Sequence, residues 1–269
     1  MGSMVVMFRA LTPRKIAAMR PPSVVVDVRN RWMFLGDSQT GGRDVGAVKS
    51  HVEALAMIWQ TKYPNKGPVN PYNGLPTNPY RDGVSGRSLA GAIAQYNSRP
   101  ERLTATWVHI QESGNQLGDG GSQDTPAKFK ALVKAHAIQA EANSPGVVQT
   151  FETAFSFGRE RDAGRNWNAY NGALREAKAE LQAENGINLR IVETDRDIKL
   201  LQAAITPAAV WFQAGEANEY HYRGPGNLMI ALSMLKALGE TVTMSDLSGI
   251  TETTEAVKQA CLDVIGVNP

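Results

Sequence analysis

An α/β fold, with helices covering a mostly parallel sheet, is what the sequence predicts, and three observations predict it. From Arg31 onward, short β-branched or aromatic runs alternate with longer stretches of helical period. The 269 residues, 42% hydrophobic and 20% charged, suit a globular chain with one substantial core. No internal repeat or low-complexity linker divides the chain, which favours one domain with terminal additions.

The first 31 residues carry Arg9, Arg14, Lys15, Arg20, Arg29 and Arg31 against Asp27, so this stretch is +5 and the remainder of the +2 chain is −3. Residues 1–30 therefore read as a basic arm, either solvated with Met4–Phe8 docked on the body or in contact with an anionic partner. Within it Pro13–Met19 has helical character up to Pro21-Pro22, and Ser23–Val28 has the β-branched run of a strand. The main domain is expected over 31–240. Its strands are expected at Trp32–Leu35, Ala105–Gln111, Val147–Phe151 and Asn188–Glu193. Its helices are expected at Val45–Lys62, Ser88–Tyr96, Pro126–Ala142, Trp167–Glu184, Asp195–Ala204 and Asn227–Leu238. The first helix places Val48, Val52, Leu55, Met57, Ile58 and Trp59 on a broad apolar face, as a sheet-packing helix needs. Tyr63–Arg81, with five prolines, reads as a long loop whose Tyr63, Tyr72 and Tyr80 either face a ligand or pack the loop onto the body. Residues 241–269 read as an extension packed on the same domain, with a helix Glu252–Ile265 whose Ala256, Val257, Ala260, Cys261, Val264 and Ile265 form one apolar side.

Composition excludes several functions. A balance of 28 basic and 26 acidic residues makes polyanion binding an unsuitable main role, so no nucleic acid is expected. The single cysteine, Cys261, permits no internal disulfide and reads as a buried free thiol. No apolar run spans a membrane and no secretory stretch appears, so the expected location is cytoplasmic by default. His-Glu-x-x-His, Cys-x-x-Cys and the Asp-rich calcium loop are all missing, so neither metal nor cofactor is expected. Gly41-Gly42 lacks the Lys-Ser or Lys-Thr of a phosphate loop.

Four spots carry chemistry-bearing residues where a strand or loop gives way to a helix. In Phe34–Gly42, Ser38 follows a strand end, where parallel sheets bind ligands and where a helix N-terminus favours developing negative charge. It is either a nucleophile or an N-cap. In Asp82–Ser88, Gly86 either frees a backbone N–H for an oxyanion or only makes the turn. In Val108–Gln116, Asn115 is a side-chain donor or a turn former. In Asn218–Asn227, His221 is the one histidine in a loop before a helix, whereas His51, His109 and His136 fall inside elements and read as packing or surface residues.

Taken together, Gly36-Asp37-Ser38, Gly86, Gly114-Asn115 and His221 resemble the ordered blocks of the SGNH (GDSL-type) hydrolase family across roughly Trp32 to Leu238. The resemblance implies a flavodoxin-like three-layer α/β/α sandwich. It also implies an ester hydrolase with nucleophile Ser38, base His221, and an oxyanion hole of the Ser38 N–H, the Gly86 N–H and the Asn115 amide. The expected substrate is a short acyl ester, most naturally acetyl, on a carbohydrate or other polar scaffold. Two departures stand out. Gln116 follows Asn115 where the family has Asp, and Asn218 occupies the place of the family's acid, three residues before His221. Glu216 or Glu219 is then a substitute acid, or Ser38 and His221 work as a dyad. The competing expectation is a degenerate hydrolase fold kept as a binding or structural module of a larger assembly.

Overall fold

Among the described residues, five parallel strands lie in one sheet in the order β2-β1-β3-β4-β5. They are β1 Trp32–Gly36, β2 Tyr80–Gly83, β3 Trp107–Ile110, β4 Val148–Glu152 and β5 Leu189–Val192. Among the described residues, seven α-helices accompany them: α1 His51–Lys62, α2 Leu89–Ser98, α3 Pro126–Asn143, α4 Trp167–Glu180, α5 Thr194–Ala204, α6 Gly224–Leu238 and α7 Glu255–Gly266. This computed structural model describes residues 31–37, 40, 50–64, 80–84, 86–111, 125–154, 167–205, 222 and 224–266. The basic arm 1–30, with its expected helix Pro13–Met19 and strand Ser23–Val28, lies outside the described residues.

Successive strand residues point to opposite faces of a sheet, and β1 is apolar on both, as a central strand of a sheet covered on both sides requires. Trp32, Phe34 and Trp107 pack with Val52, Leu55 and Trp59 of α1, Ile198 and Leu201 of α5, and the body of α6. Met33, Leu35, Val108, Ile110, Phe151 and Leu189 pack with residues of α2, α3 and α4. The result is a three-layer α/β/α sandwich with the flavodoxin-like strand order. On the first face Trp32 meets Trp59 and Trp107 edge-on at 5.0 and 4.9 Å, a geometry that suits the aromatic quadrupole.

Helix α6 is buried at every position from Gly226 to Leu235, so it needs cover on all sides. Helices α1 and α5 flank it, and α7 supplies the rest through Cys261 and Val264. Burial pushes the Cys261 thiol up to about 12, which leaves it protonated and inert.

Most expected elements stand where the periodicity puts them, with ends moved by a few residues. Helix α1 begins at His51 because Ser50 caps it, its hydroxyl accepting the Glu53 N–H at 3.4 Å. The part of the expected helix from Val45 to Lys49 lies outside the described residues. Strand β2 was not expected: Tyr80-Arg81-Asp82-Gly83 has neither alternation nor a β-branched run and follows a proline-rich stretch. It forms because β1 offers an edge, pairing Met33 with Tyr80 through Gly36 with Gly83.

Candidate active site

The chain passes from β1 outward to β2 and then back across to β3, so the order reverses between β1 and β3. In open parallel sheets ligands bind in the crevice at the carboxyl edge of such a reversal. Three loop starts are tied together there. The Gln111 N–H donates to Leu35 O at 2.9 Å, and the Val84 N–H donates to Gly36 O at 3.2 Å. Beyond Gly36 the buried Thr40 hydroxyl donates to Gln111 Oε1 at 2.5 Å, linking the segment after β1 to the one after β3. Gly36 is required for this closeness. A Cβ on it would lie 2.2 Å from Thr40 Oγ1 and 3.1 Å from Gln111 Cβ. Asp37 is buried at the same edge.

Gly86 lies in the turn after β2, with φ +73°, a left-handed conformation that glycine adopts without strain. The Arg87 N–H closes that turn on Val84 O at 3.0 Å, which puts Gly86 at the third turn position where positive φ is needed. Among the described residues no acceptor takes the Gly86 N–H. Ser88 then caps α2, accepting the Gly91 N–H at 3.0 Å.

Tyr222 is fixed where the last loop rejoins the body. It is buried in the core shared with α1 and α6, and Asn227 Nδ2 donates to its carbonyl at 3.2 Å. Burial raises its phenol well above the ordinary value, and the negative charges of Glu152, Asp195 and Asp37 raise it further. Asp37 is thus one of the charged groups that act on the Tyr222 phenol. Asp37 and Tyr222 are the immediate neighbours in sequence of Ser38 and His221. Ser38, Asn115, Glu216, Asn218, Glu219 and His221 themselves lie outside the described residues. Tyr72 does too, whereas Tyr63 packs on Trp59 at 4.9 Å and donates to Glu240 Oε2 at 2.7 Å, a body contact.

Beside this edge the structure assembles a buried polar group that the sequence pattern did not single out. His109 of β3 has Nδ1 2.8 Å from Thr150 Oγ1 and Nε2 3.0 Å from Glu152 Oε1. His51, the first residue of α1, brings its Nε2 to 3.6 Å from the same carboxylate oxygen. The Thr194 hydroxyl donates to Glu152 Oε2 at 3.3 Å, and Trp107 Nε1 donates to Thr150 Oγ1 at 2.8 Å. Burial alone would raise the Glu152 carboxyl, but His51, His109 and Thr194 outweigh it and hold it below the usual value. The three residues come from α1, β3 and β4, with no local spacing to reveal them. The one available signal was polar residues at inward positions of strands.

No protein-family model and no curated protein matches the sequence. Solved structures do match the fold. The acetylxylan esterase Axe2 from Geobacillus stearothermophilus superposes with a TM-score of 0.59 at 18% identity, over 81% of this chain and 98% of its own. LAE5, an alpha/beta hydrolase enzyme from the metagenome of Lake Arreo, Spain, gives 0.59 at 14% identity, over 80% and 97%. A lipase/acylhydrolase from Enterococcus faecalis gives 0.53 at 14% identity, over 77% and 94%. The chain thus has the fold of the SGNH-type hydrolases. Catalytic mutants of Axe2 replace a serine in one case and an aspartate in another.

Proposed function

We propose that the chain is a serine ester hydrolase of the SGNH type that removes a short acyl group, acetyl foremost, from a carbohydrate or other polar ester. The observation that carries this is the convergence of the block flanks: Asp37, Thr40, Gln111 and the Gly86 turn lie about the carboxyl edge of β1 to β3. The acetylxylan esterase and the acylhydrolase among the structural neighbours support the substrate class.

In this reading Ser38 Oγ attacks the ester carbonyl while the His221 imidazole takes its proton, because a serine hydroxyl is a weak nucleophile at its own pKa. The tetrahedral oxyanion is held by the Ser38 N–H, the Gly86 N–H and the Asn115 side-chain amide. Loss of one such donor costs roughly 10²–10³ in rate. His221 then protonates the leaving alcohol, and afterwards activates the water that releases the acid. Asn218 stands where an aspartate would hold and stabilise the imidazolium, so Ser38 and His221 act as a dyad or with Glu216 or Glu219 in its place.

The test is hydrolysis of an activated acetyl ester by wild type and by Ser38→Ala. Turnover that vanishes in Ser38→Ala with the thermal midpoint unchanged supports the reading. Equal turnover in both removes Ser38 as nucleophile. No turnover in either, on a panel of acetylated sugars as well, favours the binding-module alternative that Asn218 suggests.

A further inference from the structure

The buried cluster beside the candidate active site has the donors, spacing and supporting shell of a metal centre. We propose that His51, His109 and Glu152 bind one divalent d-block cation, zinc foremost, which clamps the first turn of α1 to the ends of β3 and β4. Both imidazoles present Nε2 to the same carboxylate oxygen, at 3.0 and 3.6 Å, and the three donor atoms lie within 4.8 Å of one another. Around a tetrahedral zinc with bonds of about 2.0–2.2 Å, neighbouring donors are about 3.2–3.6 Å apart, so the set admits an ion with movements of less than about 1 Å.

The surrounding groups fit as well. Metal-bound histidines typically pass their other ring N–H to a fixed acceptor, and bound carboxylates are themselves hydrogen-bonded. His109 has Thr150 Oγ1 at Nδ1, held in turn by Trp107, and Glu152 has Thr194 on its second oxygen. Two imidazoles with one carboxylate suit zinc and its d-block neighbours rather than calcium or magnesium, which take oxygen ligands.

Charge gives a further reason. Glu152 is 3% exposed, and among the described residues no lysine or arginine pairs with it. In the metal-free protein the two imidazoles and the Thr194 hydroxyl meet this carboxylate, and a divalent cation at the shared oxygen would pair with it directly. Three protein ligands leave a fourth position. The role assigned is structural and does not depend on the ester-hydrolase reading.

The experiment uses the full, tag-free chain, stripped with a chelator and titrated with Zn²⁺ and, in parallel, Co²⁺. The expected result is one equivalent bound per folded chain, a visible d–d band of four-coordinate Co²⁺, and a thermal midpoint that rises with added Zn²⁺. His51→Gln and Glu152→Gln should each weaken binding at least 100-fold. Thr150→Val, which touches only the supporting shell, should weaken it about 10–100-fold and keeps the test informative if a ligand variant fails to fold. Folded wild type that takes up no stoichiometric metal overturns the proposal. So does binding that persists undiminished in folded His51→Gln, Glu152→Gln and Thr150→Val, which would place the ion elsewhere, for instance at Cys261 or His136.

Discussion

Gly36→Ala probes the tie between the loops after β1 and β3. The added Cβ would stand 2.2 Å from Thr40 Oγ1, 3.0 Å from Thr40 Cβ and 3.1 Å from Gln111 Cβ, where ordinary contact begins at 3.4 Å. The strand cannot withdraw to make room, because Leu35 O and Gly36 O are held by Gln111 and Val84 on its two sides. Thr40 must therefore recede by roughly 1 Å, which breaks its hydrogen bond to Gln111. Overpacking of this kind costs about 1–3 kcal/mol and the lost hydrogen bond about 1 kcal/mol. Together these predict a fall in thermal midpoint of ~5–15 °C for a domain of this size. A displacement of about 1 Å two residues along the chain from the proposed nucleophile Ser38 should also cost on the order of 10² in turnover, which an ester assay on the still-folded variant would read. Adding Thr40→Ala removes the atom at 2.2 Å and should recover part of the midpoint. A Gly36→Ala protein with wild-type midpoint and turnover would refute this packing argument.

Other expectations concern the core, the last loop and the acid. His136 is buried edge-on to Tyr96 at 4.8 Å, and burial lowers its pKa from 6.5 to about 4. The folded state then binds fewer protons than the unfolded state, so stability falls as pH drops from 6.5 towards 4, by up to about 3 kcal/mol from this residue. Denaturation of wild type and His136→Leu across that range measures it, and parallel curves would contradict it. Asn171 holds the end of β4 by donating to Ala154 O at 2.9 Å and accepting the Ala154 N–H at 2.8 Å. Asn171→Leu should cost about 2–4 kcal/mol in chemical denaturation, since it strands two buried backbone groups; a loss below about 0.5 kcal/mol would show that the pair is not needed. Asn218→Asp and Glu216→Gln, assayed on one ester, separate the acid assignments. A gain in the first with no loss in the second supports the dyad, and a large loss in the second makes Glu216 the acid.

How far the sequence was legible follows from how local each signal is. Strand β1 shows as a short continuous apolar run and helix α4 as a 3.6-residue period, each signal lying within the element itself, so local apolar pattern located them. Strand β2 depends on the edge that β1 presents, and Tyr80–Gly83 holds no record of that partner. The turn at Gly86 was marked by its own glycine, and its positive φ agrees with that mark. The Thr40–Gln111 contact joins residues 71 apart in sequence, and Glu152 meets His109 from 43 away. Neither pairing leaves a motif. The four family blocks each place a small or polar residue directly after an expected strand or before an expected helix; of their candidate catalytic and oxyanion-hole residues, Gly86 alone is among the described residues.

The account stands most directly on Ser38 being an activated nucleophile, and covalent labelling measures that without a choice of substrate. A fluorophosphonate reacts with an activated serine by forming an Oγ–P bond and expelling fluoride, so intact-mass analysis and peptide mapping of the treated chain locate the adduct. The account predicts one adduct, on Ser38, absent in Ser38→Ala and slowed at least 100-fold in His221→Ala. Folded protein that takes no adduct, or that carries it on another residue with Ser38 untouched, would contradict it.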